Sequence, residues 1–269
     1  MKKRFLRIIT ILAVIYIIVC GLLYFFQEKI IFYPEKLNKD FRFSFDEKFE
    51  EINIKTGDNK ILNALLFKSD SAKGLIFYLH GNGGSLRSWG EVAKTYTDLN
   101  YDVFILDYRG YGKSEGKITS QKQLFQDVQT AYNLMKIKYE ENKIIILGYS
   151  IGTGPATRLA STNHPEMLIL QAPYFNMTGV MKQKVPAIPT FILRYKLQTN
   201  EFIKDCKMPI VIFRGNSDEV INYNDALELK KFFKPSDTLI TLEGQGHNGM
   251  TDNPDYKMAL KEILGAIKN

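Results

Sequence analysis

Histidine, cysteine and tryptophan are scarce in this 269-residue chain, which has three, two and one of them. No C-x-x-C occurs and no two histidines stand at ligand spacing, which argues against a zinc site. Cys20 lies inside an apolar run, whereas Cys206 precedes the strand-like Met208–Phe213. The two fall on opposite sides of a membrane boundary, so no disulfide is expected. Acidic residues are absent before Glu28, where Lys2, Lys3, Arg4 and Arg7 cluster. Those four supply most of the formal charge of +7. The mild excess that remains lacks the clustered basic face of a nucleic-acid binder. Repeats and low-complexity tracts are also missing. A 45% hydrophobic and 24% charged composition is near the globular average, which excludes a disordered chain or a multi-span transporter. The length suits one large domain.

What is present begins with a membrane signal. Ile8 to Phe26 (IITILAVIYIIVCGLLYFF) carries no charge. At about 1.5 Å per residue it spans roughly the 30 Å hydrocarbon core. A cleaved signal peptide has a shorter apolar core, about 7–15 residues, followed by small residues. Here the run ends in Leu-Leu-Tyr-Phe-Phe-Gln-Glu-Lys. Val19 is a poor neighbour for a lipoprotein cysteine at Cys20. The expectation is an uncleaved single-pass anchor in residues 1–27, with a catalytic domain over 28–269. The basic N-terminus predicts that end in the cytoplasm and the domain on the non-cytoplasmic side. Tyr24, Phe25, Phe26, Phe32 and Tyr33 are the interfacial aromatics expected there.

After a polar stretch (38–46), two hydrophobic periods alternate. Strands are predicted at 49–55, 61–67, 75–79, 103–106, 143–147, 167–170, 209–213 and 238–242, several apolar throughout, as strands covered on both faces should be. Helical periodicity marks 89–99, 120–139, 152–162, 224–233 and 254–267. In the second of these, Leu124, Val128, Ala131, Leu134 and Met135 recur at three- and four-residue steps. The alternation predicts an α/β fold: a mostly parallel eight-stranded sheet with helices on both faces. Residues 175–202, with Pro186 and Pro189, have no clean period and read as a small cap insertion over the C-terminal edge of the sheet, with an irregular surface connection as the alternative.

The chemistry concentrates at strand ends. The buried strand KIIILGYS runs into Gly148-Tyr149-Ser150-Ile151-Gly152 and then a helix. A sharp strand-to-helix turn lifts the Ser150 side chain clear, and its glycines allow close backbone packing. The helix N-terminus behind Ser150 suits an oxyanion. A serine nucleophile needs a base, itself oriented by an acid. Among His80, His164 and His247, the last follows the final strand in Gly244-Gln245-Gly246-His247-Asn248. His164, before Pro165, reads as a surface residue, and His80 stands in the strand exit Leu79-His80-Gly81-Asn82-Gly83-Gly84. Asp218 follows the strand over 209–213, with Asp225 and Glu219 as possible substitutes. The order Ser150, Asp218, His247 is that of a nucleophile-elbow hydrolase, each residue just past a strand's C-terminal end. The oxyanion hole is expected from the backbone N–H groups of Asn82 and Ile151. The glycines at 81, 83 and 84 form neither a P-loop nor G-x-G-x-x-G, so nucleotide binding is disfavoured.

With FYLHGNGG (77–84), DYRGYGKSEG (107–116), GYSIGTGPA (148–156), VIFRGNSDEVI (211–221) and GQGHN (244–248), the chain resembles the α/β-hydrolases over roughly residues 28–268. With an anchor followed by QEKIIFYP (27–34), it most resembles the membrane-anchored α/β-hydrolase domain proteins. These are described as serine-aminopeptidase-like and include acyl-protein depalmitoylases among their relatives. The resemblance implies Ser150 as nucleophile, Asp218 as acid and His247 as base. It implies that 107–116 forms a turn beside the site, held by Arg109. It supports hydrolysis of an ester, thioester or amide without choosing among them. The short cap departs from aminopeptidase relatives and tells against peptidase activity.

The expected activity is that of a serine hydrolase acting on a carboxylic ester or thioester, with no cofactor and no metal. The alternatives are an amide hydrolase, a catalytically silent binding module and an envelope-associated structural protein. A dehalogenase or epoxide hydrolase would need Asp at position 150. Tyr149, Phe175 and Phe191 are the expected substrate-binding residues, with Ile188, Ile192, Leu193 and Tyr195 as further lining of an acyl pocket. The alternative for the insertion's residues is that they simply pack it onto the sheet. The expected substrate is a small-molecule or lipid-linked acyl compound met at the membrane, with no obligate protein partner.

Overall fold

The computed structural model describes residues 1–267. Its strands are β1 (Phe49–Lys55), β2 (Ile61–Phe67), β3 (Leu75–Leu79), β4 (Asp102–Leu106), β5 (Ile144–Tyr149), β6 (Met167–Gln171), β7 (Ile210–Gly215) and β8 (Thr238–Leu242). Its helices are α1 (Lys2–Ile31), α2 (Leu86–Trp89), α3 (Ala93–Thr97), α4 (Gln121–Lys138), α5 (Thr153–Ala160), α6 (Met177–Lys184), α7 (Thr199–Phe202), α8 (Tyr223–Lys230) and α9 (Pro254–Ala266). The strands form one sheet in the order β1-β2-β4-β3-β5-β6-β7-β8. Only β2 runs against its neighbours; every pairing from β4 to β8 is parallel. This is the mostly parallel eight-stranded α/β sheet that the strand–helix alternation predicted.

Alternating side chains of the central strands feed two cores. Leu75, Phe77 and Leu79 of β3 meet Val128 and Ala131 of α4 and Ala156 of α5 on one face. Ile76 and Tyr78 meet Tyr96 of α3 and Tyr256 and Leu260 of α9 on the other. Strands covered on both sides read as continuous apolar runs for that reason.

The structure departs from expectation in three places. The helix predicted over 89–99 begins earlier and is broken. Ser85 caps α2 by accepting from the Arg87 N–H, and a 3₁₀ turn over Gly90–Val92 separates it from α3. The Phe45 ring packs against Gly90 so closely that a Cβ there would lie 2.2 Å from it. Phe45 also corrects the reading of 38–46 as polar, because Phe43 and Phe45 pack into the second core. Within the cap, α6 forms where no period was legible, its first turn closed by Asn176, whose side chain accepts from the Gly179 N–H at 2.8 Å.

Helix α1 is long and apolar enough to cross a membrane. It continues past the apolar run to Ile31, and the chain beyond it is stitched to the sheet's C-terminal edge. Glu35 donates its N–H to the Gly84 carbonyl, Gly112 to Glu35, and Leu37 to Gly112.

Candidate active site

β5 ends at Tyr149 and the next residue turns sharply into the 3₁₀ segment Ser150–Gly152 and α5. Ser150 has φ 51°, left-handed backbone that a serine adopts at a cost of about 1–3 kcal/mol. The flanking glycines are required by close approach. A Cβ on Gly152 would lie 2.2 Å from the Leu79 carbonyl oxygen, and one on Gly148 2.7 Å from the Ala156 Cβ. The turn is therefore wedged between β3 and its own helix.

Ser150 Oγ lies 2.9 Å from His247 Nε2, and His247 Nδ1 lies 2.8 Å from Asp218 Oδ2. An ionised Asp218 accepts a hydrogen bond from Nδ1–H, which leaves Nε2 to accept from the serine hydroxyl. The loops that carry Asp218 and His247 are joined: Ser217 donates to the Gln245 carbonyl and Gly244 to Asn216 Oδ1. Tyr149 donates its hydroxyl to the His247 carbonyl at 2.5 Å. Burial pushes that phenol up to about 12, so it stays a donor at neutral pH.

Asp218 has a partner that sequence reading missed. Arg214, at the end of β7, places Nη1 2.5 Å from Asp218 Oδ2, with both side chains fully buried. Its Nη2 donates to the Ile221 carbonyl. Asp218 Oδ1 accepts from the N–H groups of Val220 and Ile221 at 2.8 and 3.0 Å. Burial pushes the Asp218 carboxyl up, but His247, the Ile221 N–H and Arg214 together hold it below its ordinary value. Arg214 is itself pushed down by burial, against the pull of Asp218. A basic residue at a strand end has no sequence signal that separates this role from a surface one.

Asn82 and Ile151 line the same cavity as Ser150. No described residue accepts from the Asn82 N–H, and Ile151 stands in the opening turn of a helix, where N–H groups lack intrahelical acceptors. The Asn82 side chain adds a function the sequence did not disclose. Its Oδ1 accepts from the Tyr33 and Gly83 N–H groups and the Tyr111 hydroxyl, each at 3.0 Å, and its Nδ2 donates to the Ile31 carbonyl. That clamp joins the end of α1 to the loop after β3.

The other candidates stand elsewhere. His80 is fully buried, stacked on Trp89 and packed against a tilted Tyr108 ring, with Nε2 3.5 Å from Asp107. His164 is exposed. Glu219 is exposed, and Asp225 accepts from the Phe175 N–H, tying the cap to α8. Arg109 is buried between Asp58 and Asp127 and braces the 107–116 turn against the β1–β2 hairpin and α4. Among the described residues no group of three His, Cys, Asp or Glu side chains converges as a metal site.

Above Ser150 lies a mostly apolar cavity of about 590 Å³. Tyr149 lines it, as do Ile192 and Leu193 of the cap. Phe175 and Phe191 do not, which corrects the expected substrate-binding set. Phe175 turns into the core beside Phe232, and Phe191 is 83% exposed on the outer surface. Ile188 and Tyr195 are also outside it. Their places are taken by Met177, Val180 and Met181 on the inner side of α6. A further wall is formed by Leu23, Gln27, Ile30 and Ile31 of α1.

Comparison with known proteins gives a consistent picture. A family model described as serine aminopeptidase, S33 matches residues 70–201, a span that includes Asn82 and Ser150 and stops before Asp218. The chain is 30% identical over 213 residues to α/β hydrolase domain-containing protein 17B of Homo sapiens, covering 77% of this chain and 71% of that one. Against the Xenopus laevis 17B protein the figures are 31% over 201 residues, with 72% and 67% coverage. Among solved structures, the Pyrococcus furiosus esterase Pf2001 superposes with a TM-score of 0.69 at 19% identity, covering 87% of this chain and 97% of the esterase. The ferulic-acid-bound Est1E of Butyrivibrio proteoclasticus has a TM-score of 0.61 at 18% identity, with 79% and 96% coverage.

Proposed function

The chain belongs to the α/β-hydrolase superfamily, and on that premise we propose that it is a serine hydrolase that cleaves a carboxylic ester or thioester through an acyl-enzyme on Ser150. The observation that carries this reading is the unbroken hydrogen-bonded relay from Ser150 through His247 to Asp218. His247 takes the hydroxyl proton as Oγ attacks the acyl carbonyl. Asp218 orients the imidazole and stabilises the imidazolium. The N–H groups of Asn82 and Ile151 receive the oxyanion, at roughly 3–4 kcal/mol per donor. His247 then protonates the leaving group, and water repeats the sequence to release the acid.

Ester or thioester cleavage is favoured over aminopeptidase action by the cavity lining. A free α-ammonium group would call for an anion, and among the described lining residues there is no Asp or Glu; the charged side chain there is Lys184. The apolar lining instead fits an acyl chain, and the depalmitoylase-type reaction that the resemblance in the sequence implies is one form this chemistry would take. Helix α1 would anchor the enzyme, with Lys2, Lys3, Arg4 and Arg7 cytoplasmic and the catalytic domain opposite.

A fluorophosphonate probe tests the core of the proposal. Covalent labelling is expected in the native chain and absent in Ser150→Ala; undiminished labelling of that variant would refute the mechanism. A panel of p-nitrophenyl esters, acyl-thioesters and aminoacyl amides separates the bond classes. Protease digestion in sealed vesicles reads the sidedness.

A further inference from the structure

The cap residues Val185 to Leu193 read VPAIPTFIL, nine residues without a charge, flanked by Lys184 and Arg194. Val185 is 43% and Phe191 83% exposed, a costly presentation to water for a short segment. This tip lies along α1. The Tyr16 hydroxyl donates to the Ala187 carbonyl at 2.8 Å, and Gln27, buried at the other end of the contact, donates to the Ile192 carbonyl and accepts from the Arg194 N–H. Glu28 pairs with Arg194 and accepts from the Tyr195 hydroxyl.

Depth follows from helix geometry. Tyr16 lies ten residues inside Phe26, about 15 Å along the helix axis and so about halfway through a 30 Å hydrocarbon core. The tip touching Tyr16 is carried to the same depth. Irregular backbone is costly there wherever its polar groups are unsatisfied. Pro186 and Pro189 have no N–H to satisfy, and the N–H groups of Val185, Ile188, Ile192 and Leu193 bond inside the cap, which leaves those of Ala187, Thr190 and Phe191 as the desolvation cost of the seating. Lys184 and Arg194 stand where long cationic side chains reach back to the interface. Behind the tip, the cavity wall is shared by α1 and the cap down to Ser150.

We propose that the tip Val185–Leu193 is seated in the leaflet beside α1, and that the cavity behind it admits the acyl chain of a membrane lipid ester sideways to Ser150. The catalytic half of this rests on the serine-hydrolase reading; the seating does not. The cavity's size suits one acyl chain, and the Ser150 end lies beside Gln27–Ile31, at the depth where a lipid's ester carbonyl resides.

The test uses the full chain reconstituted in phosphatidylcholine vesicles. A fluorophore on Phe191→Cys, in a Cys20→Ser background, is expected to be quenched by lipids brominated on their acyl chains. Absence of quenching overturns the seating. Phe191→Asp is expected to lower hydrolysis of a vesicle-borne long-chain fluorogenic lipid ester about tenfold or more, with p-nitrophenyl butyrate turnover and fluorophosphonate labelling unchanged. No loss on the vesicle substrate, or an equal loss on both substrates, overturns the lateral route. A native chain that fails to label at Ser150 refutes the hydrolase reading instead, and quenching still decides the seating by itself.

Discussion

Replacing Arg214 by methionine removes the one fully buried cation that faces Asp218 while keeping an apolar side chain of similar length. Both partners are out of water, so the carboxylate left behind would keep only His247 and two backbone N–H groups. Breaking a buried pair by removing one member typically costs about 3–5 kcal/mol. At about 2–4 °C per kcal/mol for a domain of this size, the apparent Tm should fall by about 6–20 °C. Arg214→Lys should recover only part of that, because an ammonium cannot reach Asp218 Oδ2 and the Ile221 carbonyl together as the guanidinium fork does. The pH dependence has a definite sign. Asp218 is held below its unfolded value, so its contribution to stability is complete above the ordinary carboxylate range and is lost as pH falls through the depressed folded value. Without Arg214 the depression shrinks. The stability gap between variant and native chain should therefore close in acid, and the acid limb of fluorophosphonate labelling should move to higher pH. Thermal unfolding by circular dichroism and labelling rates across pH 3–8 (about the range in which carboxylates and histidine titrate) read both effects. A Tm within about 2 °C of native, with an unmoved pH profile, would show that the pair holds neither the loop nor the acid.

Asp218→Asn breaks the same buried pair and should lower the Tm as well; in the folded protein it should lower kcat by about 10⁴-fold, since the imidazole loses its tautomer and its counter-charge, and steady-state ester hydrolysis measures it. Asn82→Ala removes the clamp between α1 and the loop after β3, leaving the Tyr33 and Gly83 N–H groups and the Tyr111 hydroxyl without their acceptor. A loss of about 1–3 kcal/mol, or roughly 5- to 150-fold in kcat/KM, is expected, and an unchanged kcat/KM would remove the side chain from any part in positioning that loop. Gly152→Ala forces a methyl onto the Leu79 carbonyl. It should cost about 1–3 kcal/mol or more, seen as a lowered Tm, with labelling of Ser150 slowed.

Much of the framework is local chemistry, and local chemistry is legible in a sequence. β3, β5, β6 and β7 are apolar runs because both of their faces are covered, and α4 shows its period because one face is not. The turn at Ser150 is written in the spacing of Gly148 and Gly152, since those glycines answer contacts within a few ångströms of the turn itself. The positions of Asp218 and His247 after their strands follow from the same alternation. Side-chain direction is a different matter. Phe175 and Phe191 look like pocket residues as letters, yet one turns into the core and the other outward, because the cap's path is set by long-range contacts: Asp225 to the Phe175 N–H, Gln27 to Ile192 and Arg194. Arg214 gains its meaning only when the loop after β7 folds Asp218 back over it. The amino-acid order by itself determined the sheet, the membrane-length helix and the residue types available for a nucleophile, a base and an acid. Tertiary structure alone decided which buried charge faces Asp218 and that helix α1 forms a wall of the cavity, because both depend on segments brought together from far apart in the chain.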